Sequence, residues 1–243
     1  PLSGGLGVDD GWIVASAVRR LALAGGGEAE TGSRGRIMPV DELAIPGRHN
    51  VSNAMAAVAV GLLFGVDPVA IRRAAASFPG VEHRLEQVAI VDGVRFVNDS
   101  QGTQPDAVVA ALRAFPRPLV LIAGGRDKGV DLSGLGPVAA ERADAAILIG
   151  ESGPMLAEIF RGHGLTRVEL APTIQEAVVR GDAIARDLIA AAGADDSSAA
   201  ATVLLSPAAA SFDMFVDYEA RGRAFKEAVA GLAEKRRAVG TSR

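Results

Sequence analysis

The sequence predicts an α/β protein whose main domain is a parallel β-sheet with helices on both faces. Apolar runs of strand length alternate with segments of helical periodicity from about residue 85 to the C-terminus, which is the pattern of strands joined by crossover helices. Hydrophobic residues make up 49% and charged residues 22% of the 243 residues, a balance typical of a globular protein. Polar clusters follow three of the predicted strands, as they do where such sheets bind ligands.

The first segment, to about Asp41, is rich in glycine and contains short strand-like pieces such as Trp12-Ile13-Val14. A turn at Ile45–Asn50 then leads into a predicted helix from about Val51 to Phe64. Its alanines and valines lie almost all round, so we expect a buried helix. Gly65 stands where a C-terminal cap belongs.

Pro68 opens a second predicted helix that runs through Ser77, because proline is tolerated in a first helical turn. Phe78-Pro79-Gly80 interrupts the helical pattern. We therefore place a domain boundary there and predict two domains, residues 1–80 and residues 81–243.

The second domain begins with a predicted β-hairpin, since Val88–Val91 and Val94–Val97 flank the turn dipeptide Asp92-Gly93. Helices and strands then alternate to the end of the chain. The predicted elements are a helix at Pro105–Ala114, a strand at Leu119–Ala123, a helix ending near Ala143, a strand at Ala146–Ile149, a helix at Pro154–His163, a strand at Val168–Leu170, a helix from the Thr173/Glu176 capping box through Ala191, a loop at 190–201, a strand at Val203–Leu205 and a helix from about Phe212 to Arg237.

Composition excludes several classes of function. A net charge of −4 gives no basic surface for nucleic acid or an anionic membrane. The chain has no cysteine, which excludes disulfides, zinc thiolate sites and thiol nucleophiles and suits the cytoplasm. No apolar run reaches the length of a membrane span, and the N-terminus lacks the pattern of a secretory signal. We expect a cytoplasmic, monomeric protein.

The three polar clusters are Asn98–Thr103, Gly124–Gly129 and Ser206–Ser211, and each follows a predicted strand. Parallel strands end at the same edge of a sheet, so we expect the clusters to converge although they are far apart in sequence. This convergence is the strongest functional indication that the residues alone provide.

Each cluster contributes groups that suit an anionic ligand. Ser206 and Ser211 are predicted to bracket the start of a helix, where free N–H groups favour an anion. Lys128 adds a cation and Thr103 adds a hydroxyl beside a helix start. Taken singly, each residue has an ordinary structural explanation, such as a helix cap, a turn or a solvated charge. Taken together, they predict a site for a small dicarboxylate.

Four motifs resemble those of the Mur ligase family, in order and over nearly the whole chain. His49–Asn53 resembles the nucleotide-contacting HNxxN helix, and His83–Glu86 resembles the HRxE that opens the family's C-terminal domain. Val97–Thr103 resembles the NDSxxT motif. The ending, Leu205–Phe215 followed by Tyr218–Phe225, is similar to the members that add D-glutamate.

The resemblance implies a fold for each domain. Residues 81–243 would form the family's Rossmann-like, amino-acid-binding C-terminal domain, and residues 1–80 the C-terminal remnant of a P-loop-type, ATP-binding central domain. No G-x-x-x-x-G-K-S/T occurs in the chain. In the family that loop, the Mg²⁺ ligands and a modified lysine lie upstream, so we expect a piece of a longer protein.

The resemblance also implies residue roles. Asn50 and Asn53 would contact the adenine of ATP, Arg84 its ribose and phosphates, and Asp99 the ribose hydroxyls. No residue of this chain is expected to be catalytic or to bind a metal. The residues expected to hold the two carboxylates of D-glutamate are Thr103, Lys128, Ser211, Phe212 and the backbone near Tyr218.

Two positions depart from the family pattern. Members of this type commonly carry Lys where Gln101 stands and Asn where Gln104 stands. Glutamine supplies no positive charge, so we expect any ionic role at this position to be lost or taken over by Arg126.

The implied activity is ATP-dependent amide ligation in peptidoglycan precursor synthesis. ATP would phosphorylate the carboxylate of UDP-N-acetylmuramoyl-L-alanine, and the amino group of D-glutamate would attack the acyl phosphate. Mg²⁺ would offset the phosphate charge. The chain by itself is expected to bind ligands weakly and to catalyse nothing.

Three alternatives remain open at this point. The first is another Mur ligase or a folylpolyglutamate-type amide ligase, against which the ending Ser206–Phe215 argues. The second is a homologue that binds ligands without catalysis. The third is a dinucleotide oxidoreductase, but Gly124–Gly129 lacks the G-x-G-x-x-G spacing that such an enzyme needs.

Overall fold

The computed structural model describes residues 5–15, 20–22, 26–193 and 200–240. The chain divides into two compact units, Pro1–Gly80 and Val81–Arg243.

The first unit contains two small antiparallel sheets. Strands β1, β2 and β5 form one in the order β1-β2-β5, and β3 pairs with β4 in the other. Asp10 and Gly11 both adopt positive φ between β1 and β2, as a tight hairpin turn requires. The strand predicted at Trp12-Ile13-Val14 is confirmed. The strands are β1 Leu6–Asp9, β2 Trp12–Ala15, β3 Arg20–Ala22, β4 Glu28–Glu30 and β5 Arg36–Pro39.

Helices α1 (Arg48–Leu63) and α2 (Pro68–Ser77) complete this unit. The prediction that α1 is buried all round is wrong, because Val60 is 54% and Leu63 57% exposed. Every fourth residue of α1 is buried instead, which places a single stripe against the core of the three-stranded sheet. That stripe consists of Asn50, Ala54, Val58 and Leu62.

The start of α2 follows the prediction. Pro68 occupies the first turn, and the Asp67 carboxylate accepts hydrogen bonds from the amides of Val69 and Ala70 at 2.8 and 3.2 Å. An aspartate in this position satisfies amides that a helix start leaves without intrahelical partners. The helix ends at Ser77, before Phe78-Pro79-Gly80.

The second unit is a six-stranded sheet in the order β10-β9-β8-β11-β7-β6. All pairs are parallel except the β6–β7 hairpin at one edge. The predicted α/β class is confirmed, with one antiparallel edge strand. The elements are β6 Glu86–Val91, β7 Val94–Asn98, α3 Pro105–Ala114, β8 Leu119–Gly124, α4 Leu135–Arg142, β9 Ala145–Ile149, α5 Gly153–Gly162, β10 Arg167–Leu170, α6 Ile174–Ala192, β11 Ala201–Leu205 and α7 Tyr218–Gly240.

Two hydrophobic cores lie on opposite faces of this sheet. Side chains alternate along a strand, so Leu119 and Leu121 of β8 pack with α3, α4 and α5, whereas Val120 and Ile122 pack with α6 and α7. Every residue of β8 is buried, which explains why this strand reads as a continuous apolar run.

The C-terminal helix begins later than predicted. Helix α7 starts at Tyr218, not near Phe212, and the Asp217 carboxylate accepts from the amide of Ala220 at 2.6 Å. Of the loop predicted at 190–201, residues 194–199 lie outside the described residues, and α6 itself extends through Ala192. No helix in the described ranges combines the length and apolarity needed to cross a bilayer.

A network of ion pairs joins α6, α7 and the β6–β7 turn. The Asp182 side chain is 2% exposed and pairs with Arg186 at 3.1 Å and with Arg236. Arg186 also pairs with Asp92 in the β6–β7 turn at 2.6 Å. One buried carboxylate therefore joins two helices, and through Arg186 the hairpin as well.

We predict that Asp182→Ala lowers the free energy of unfolding by about 2–3 kcal/mol, because it leaves two arginines without their shared buried partner. Asp187→Ala on the same helix is the matched control. It removes an exposed pair with Arg167 and should cost less than about 1 kcal/mol. Urea denaturation of both variants measures the difference, and equal losses would contradict a structural role for the buried network.

Candidate functional site

Three loops meet at one edge of the six-stranded sheet. The first loop (98–103) follows β7, the second loop (124–129) follows β8 and the third loop (206–211) follows β11. Strand β11 lies between β7 and β8 and is parallel to both. The predicted convergence of the three polar clusters is therefore confirmed.

Backbone hydrogen bonds join the third loop to the other two. The amide of Ala208 donates to the carbonyl of Gly102 at 3.0 Å, which connects the third loop to the first. The amide of Arg126 donates to the carbonyl of Ala210 at 2.8 Å, which connects the second loop to the third. The three loops thus form one continuous surface.

The buried side chain of Arg221, on α7, connects the first and the third loop. The residue is 1% exposed. Nε donates to the Ser100 hydroxyl at 3.0 Å and Nη2 to the Ser100 carbonyl at 2.9 Å. Nη1 donates to the carbonyls of Ala209 and Ala210 at 3.1 and 3.2 Å. A single guanidinium therefore binds both the first and the third loop, using the several donors that arginine fixes in one plane.

The second loop packs closely over this guanidinium. A Cβ atom at Gly125 would lie 2.2 Å from the Ala210 carbonyl oxygen and 3.1 Å from Nη1 of Arg221, and the φ of Gly125 is +146°. Only glycine combines that backbone conformation with so close an approach. Burial lowers the pKa of Arg221 to about 10, against an opposing effect from the charge of Asp213, so the guanidinium stays charged at neutral pH.

Sequence reasoning missed Arg221, although it lies within the motif that follows Tyr218. A signal was present in the spacing. Arg221 shares one helical stripe with Phe225, Val229 and Leu232, all of which are buried, and arginine on an apolar stripe indicates a buried hydrogen-bonding role.

Asp99 forms a second connection within this edge. Its Oδ2 accepts from the Ser206 hydroxyl at 2.7 Å and its Oδ1 from the amide of Leu85 at 3.2 Å. The residue is 5% exposed. Burial raises the pKa of Asp99 from 3.8 to about 6, although both hydrogen bonds and the charge of Arg84 oppose the shift. The predicted contact of Asp99 with ribose hydroxyls stays a prediction. Both oxygens of this carboxylate already accept a hydrogen bond within the chain.

Arg84 lies beside the first loop with its side chain exposed. Its Nε donates to the Gln101 side-chain oxygen at 3.0 Å. Arg126, which was expected to take over an ionic role from position 101, pairs with Glu151 at 3.3 Å. Gln101 acts as a neutral acceptor, and the expectation that an ionic role at position 101 is lost or taken over by Arg126 stays a prediction.

Of the residues predicted to bind D-glutamate, Lys128 and Thr103 are in direct contact. The Lys128 ammonium donates to the Thr103 carbonyl at 3.3 Å. Ser211 is 2% exposed and follows Ala210, the residue bonded to the second loop. Phe212, by contrast, is 67% exposed, and the Tyr218 carbonyl accepts from the Ser100 hydroxyl at 2.7 Å.

The local structure around Ser211 differs from the prediction. Ser206 and Ser211 do not bracket a helix start, because α7 begins only at Tyr218. The Ser211 carbonyl accepts instead from the amides of Met214 and Phe215 at 3.0 and 2.8 Å, which closes a turn. Binding of an anion at this place would depend on loop groups and not on a helix dipole.

The predicted adenine contacts lie in the first unit. The Asn50 side chain is buried, donates to the Pro46 carbonyl at 2.6 Å and accepts from Asn53 at 3.1 Å. Asn53 is exposed and lines an apolar cavity of about 410 Å³ between α1 and α2. The Asn50 amide is thus engaged at both ends, and the adenine role of both asparagines stays a prediction.

Glu82, His83 and Glu86 place three potential metal ligands within 4.8 Å of one another. The Lys226 ammonium already binds Glu82 at 3.0 Å and Glu86 at 2.6 Å. His83 Nδ1 lies 2.9 Å from the Asn98 side-chain nitrogen, so the ring acts as an acceptor there. A cation and an amide satisfy this cluster, and we assign no metal to it.

Comparison with known proteins identifies the family. The family model described as the glutamate ligase domain of Mur ligases matches residues 83–208. The chain belongs to the Mur ligase family. It is 39% identical over 231 residues to the UDP-N-acetylmuramoylalanine–D-glutamate ligase of Pelotomaculum thermopropionicum, covering 95% of this chain and 45% of that protein. It is 43% identical over 197 residues to the ligase of the same name from Symbiobacterium thermophilum, covering 81% of this chain and 41% of that protein.

Two solved structures share the fold of this chain at low sequence identity. The UDP-N-acetylmuramate–alanine ligase of Thermotoga maritima superposes with a TM-score of 0.57 at 18% identity, over 87% of this chain and 45% of that one. The folylpolyglutamate synthase of Mycobacterium tuberculosis, complexed with ADP, gives 0.59 at 19% identity over 90% and 48%. The expected Rossmann-like domain is confirmed. The Mur ligase chain described here spans less than half the length of the curated relatives it matches.

We predict that Arg221→Met destabilises the second unit by about 2–3 kcal/mol, because several buried carbonyl groups lose their donor. Amide hydrogen exchange should also become faster at Arg126 and Ala208, whose hydrogen bonds join the loops. Arg223→Met is the matched control on the same helix, since Arg223 is exposed and pairs with Glu219 at 3.5 Å. Equal exchange at the loop amides in both variants would show that Arg221 does not organise the three loops.

We predict that the stability of the second unit depends on pH through Asp99. An unfolded aspartate loses its proton near pH 4, whereas Asp99 in the folded chain loses it near pH 6. The folded state therefore binds more protons between these values, and the wild type loses up to about 3 kcal/mol of stability through Asp99 as the pH rises from 4 to 6. Asp99→Asn removes this titration and preserves the shape of the side chain.

The measurement is the urea midpoint of Asp99→Asn and wild type from pH 4 to pH 8. The difference in stability should move in favour of the variant between pH 4 and pH 6 and stay constant above that. Asp106→Asn is the control, because Asp106 is exposed at the start of α3. A constant difference between Asp99→Asn and wild type across the whole range would contradict the raised pKa.

Proposed function

We propose that this Mur ligase chain is the amino-acid-binding part of an ATP-dependent amide ligase that adds D-glutamate to UDP-N-acetylmuramoyl-L-alanine in peptidoglycan precursor synthesis. Two relatives that are 39% and 43% identical carry the name of this activity. The matched family model is itself a glutamate ligase domain. In this reaction ATP activates the carboxylate of the precursor as an acyl phosphate, which the amino group of D-glutamate attacks.

The observation that carries the proposal is the contact between Lys128 and Thr103 at the shared edge of the three loops. Among the described residues, no carboxylate lies within ion-pair distance of Lys128, and its ammonium donates to the Thr103 carbonyl at 3.3 Å. An exposed cation without a carboxylate partner attracts a carboxylate ligand. Ser211 and Thr103 belong to two of the loops at the same edge, and their hydroxyl groups would bind the second carboxylate. Phe212 and the backbone at Tyr218 complete the proposed D-glutamate site.

The nucleotide part of the proposal uses four residues. Asn50 and Asn53 would contact the adenine, Arg84 the ribose and phosphates, and Asp99 the ribose. The folylpolyglutamate synthase that shares the fold was solved with ADP, which supports nucleotide use. Mg²⁺ would offset the phosphate charge, and its ligands are proposed to lie outside this chain. A monomer working in the cytoplasm, where the precursor would be made, is part of the same proposal.

A different amide ligase of the superfamily is the second candidate. The alanine-adding and folate-extending enzymes match this chain at only 18% and 19% identity, and their likeness concerns the fold. The names of the relatives at about 40% identity favour D-glutamate. Comparing D-glutamate with L-alanine and L-glutamate as ligands separates the candidates.

We predict that Lys128→Gln weakens binding of D-glutamate to the chain about tenfold, since the loss of one charge-assisted contact costs about 1.5 kcal/mol. Titration followed by NMR measures this in the millimolar range. Lys235→Gln is the control, because Lys235 is an exposed lysine on α7. D-glutamate that perturbs none of the three loops in wild type would overturn the proposed site.

Turnover is a separate question with its own assay. The purified 243-residue chain, given ATP, Mg²⁺, D-glutamate and UDP-N-acetylmuramoyl-L-alanine, is expected to form no ADP. Addition of a full-length relative provides the positive control. ADP formed by the chain alone, in proportion to its concentration, would contradict the view that catalysis requires further residues.

A further inference from the structure

Asp213 lies in the C-terminal motif, two residues after Ser211 and just beyond the third loop. The two oxygens of its carboxylate have different surroundings. Oδ2 accepts a hydrogen bond from the amide of Glu151 at 2.9 Å. Oδ1 is buried and has no hydrogen-bond partner among the described residues. A buried acceptor without a donor lowers stability, so another interaction of this carboxylate must compensate for it.

The hydrogen bond to Oδ2 connects Asp213 to a fourth loop at the same edge of the sheet. The fourth loop (150–152) follows β9, which is parallel to β8 and adjacent to it. The amide of Ser152 donates to the carbonyl of Gly125 at 2.8 Å, and the amide of Gly125 donates to the Ser152 hydroxyl at 3.1 Å. Both backbone groups of Gly125, in the second loop, are therefore bonded to the fourth loop.

The fourth loop also packs closely against both of its neighbours. A Cβ atom at Gly150 would lie 2.3 Å from Oδ2 of Asp213 and 2.8 Å from Cα of Gly125. The Glu151 side chain pairs with Arg126 of the second loop at 3.3 Å. The fourth loop is thus in contact with Asp213 on one side and with the second loop on the other, so a displacement of either would displace it.

The charge of Asp213 has a separate effect, which acts on Arg221. Burial lowers the pKa of Arg221 to about 10, and the charge of Asp213 opposes this shift. The Arg221 donors bind Ser100 and loop carbonyls, so Asp213 stabilises the buried cation without competing for its hydrogen bonds. This effect requires the charge of a carboxylate, whereas the bond to Glu151 requires only an oxygen acceptor.

We propose that Asp213 is a positioning residue for D-glutamate binding, because its carboxylate joins the third loop to the second through the fourth. The groups proposed to hold the two carboxylates of D-glutamate lie on either side of this connection, Lys128 on the second loop and Ser211 on the third. Fixing the distance between the two loops before the ligand arrives reduces the entropy lost on binding. This inference rests on the proposed function, since it takes D-glutamate as the ligand that spans both loops.

The experiment separates the hydrogen bond of Asp213 from its charge. Asp213→Ala removes both and should weaken D-glutamate binding about fivefold, the effect of losing one hydrogen bond that orders a loop. Asp213→Asn keeps an oxygen that can accept from Glu151, so its affinity should stay within about twofold of wild type. Asp213→Asn should nevertheless be less stable than wild type, because Arg221 loses a favourable charge.

The matched control is Asp144→Ala. Asp144 has a side chain that is 15% exposed, pairs with Arg117 and accepts from the amide of Leu119 at 2.9 Å. It precedes β9 and therefore lies at the opposite end of the strands from the four loops. Asp144→Ala should lose stability and bind D-glutamate as wild type does.

The readout is titration with D-glutamate followed by NMR, in which the spectrum of each variant also shows that it is folded. The amide of Gly125 should exchange faster with solvent in Asp213→Ala and not in Asp144→Ala. In a Lys128→Gln background, Asp213→Ala should weaken binding less than it does alone, since both changes act on the same contact between two loops and one ligand. Asp213→Ser, whose side chain ends one atom short of the carboxylate oxygen, tests the same hydrogen bond should Asp213→Ala not fold.

The outcomes distinguish this proposal from the proposed function. Three results would each overturn the positioning role of Asp213: an affinity of Asp213→Ala equal to wild type, an equal loss in Asp213→Asn, or an equal loss in Asp144→Ala. Each of them can occur while D-glutamate still binds wild type in a manner that depends on Lys128. A wild-type chain whose loops do not respond to D-glutamate would overturn the proposed function itself.

Discussion

The buried guanidinium of Arg221 is the interaction on which the arrangement of the second unit's loops depends. Loops at the end of a parallel sheet have few backbone partners of their own, because the ladder stops where the strands end. Arg221 compensates by donating to carbonyls of two loops at once, and the third packs over it through Gly125. The carbonyl oxygens around it are neutral, so burial lowers its pKa to about 10 without discharging it. The buried guanidinium therefore connects the loops at this edge of the sheet. The exposed surface of the same loops can then carry polar side chains.

Asp99 is buried at the same edge, and its burial lowers the stability of the folded chain. A buried carboxylate that accepts two hydrogen bonds is still less stable ionised than in water, and its pKa of about 6 records that deficit. Its geometric contribution is specific: it ties the start of the first loop to Ser206 and to Leu85. Gly102 is required beside it, since a Cβ there would lie 2.3 Å from the carboxylate oxygen. The buried carboxylate lowers the stability of the folded chain at neutral pH, but its hydrogen bonds fix the position of the first loop relative to the third.

Periodicity predicted the elements of the sheet well, because every strand of the second unit except β10 is either a continuous apolar run or part of a clear hairpin. It also predicted that three clusters far apart in sequence would share an edge of the sheet, which follows from parallel connections alone.

The sequence predictions failed where tertiary contacts, and not local sequence patterns, determine burial or the start of a helix. The uniform apolarity of α1 suggested complete burial, yet the neighbouring three-stranded sheet covers only the stripe through Ala54 and Val58. The start of α7 was placed too early, because residues 212–217 are compatible with a helix but Ser211 closes a turn instead. The role of Arg221 could be suspected from its apolar stripe, but its partners are backbone carbonyls, which no sequence pattern displays.

The cations near the first two loops differ in their partners, and that difference bears on how the edge can recognise an anion. Arg126 pairs with the carboxylate of Glu151, Lys128 contacts a backbone carbonyl and Arg84 contacts a neutral amide. A carbonyl or amide acceptor orients a cation without cancelling its charge, whereas a carboxylate does both. The two cations without a carboxylate partner among the described residues are also the two whose acceptors, Thr103 and Gln101, belong to the first loop. A hydrogen bond of 2.8 Å from the Thr103 amide to the Gln101 carbonyl joins those two acceptors. Any movement of this loop would therefore shift Arg84 and Lys128 together. Because Arg221 and Asp99 both fix the first loop, the buried charges beneath the edge govern the placement of the exposed charges above it.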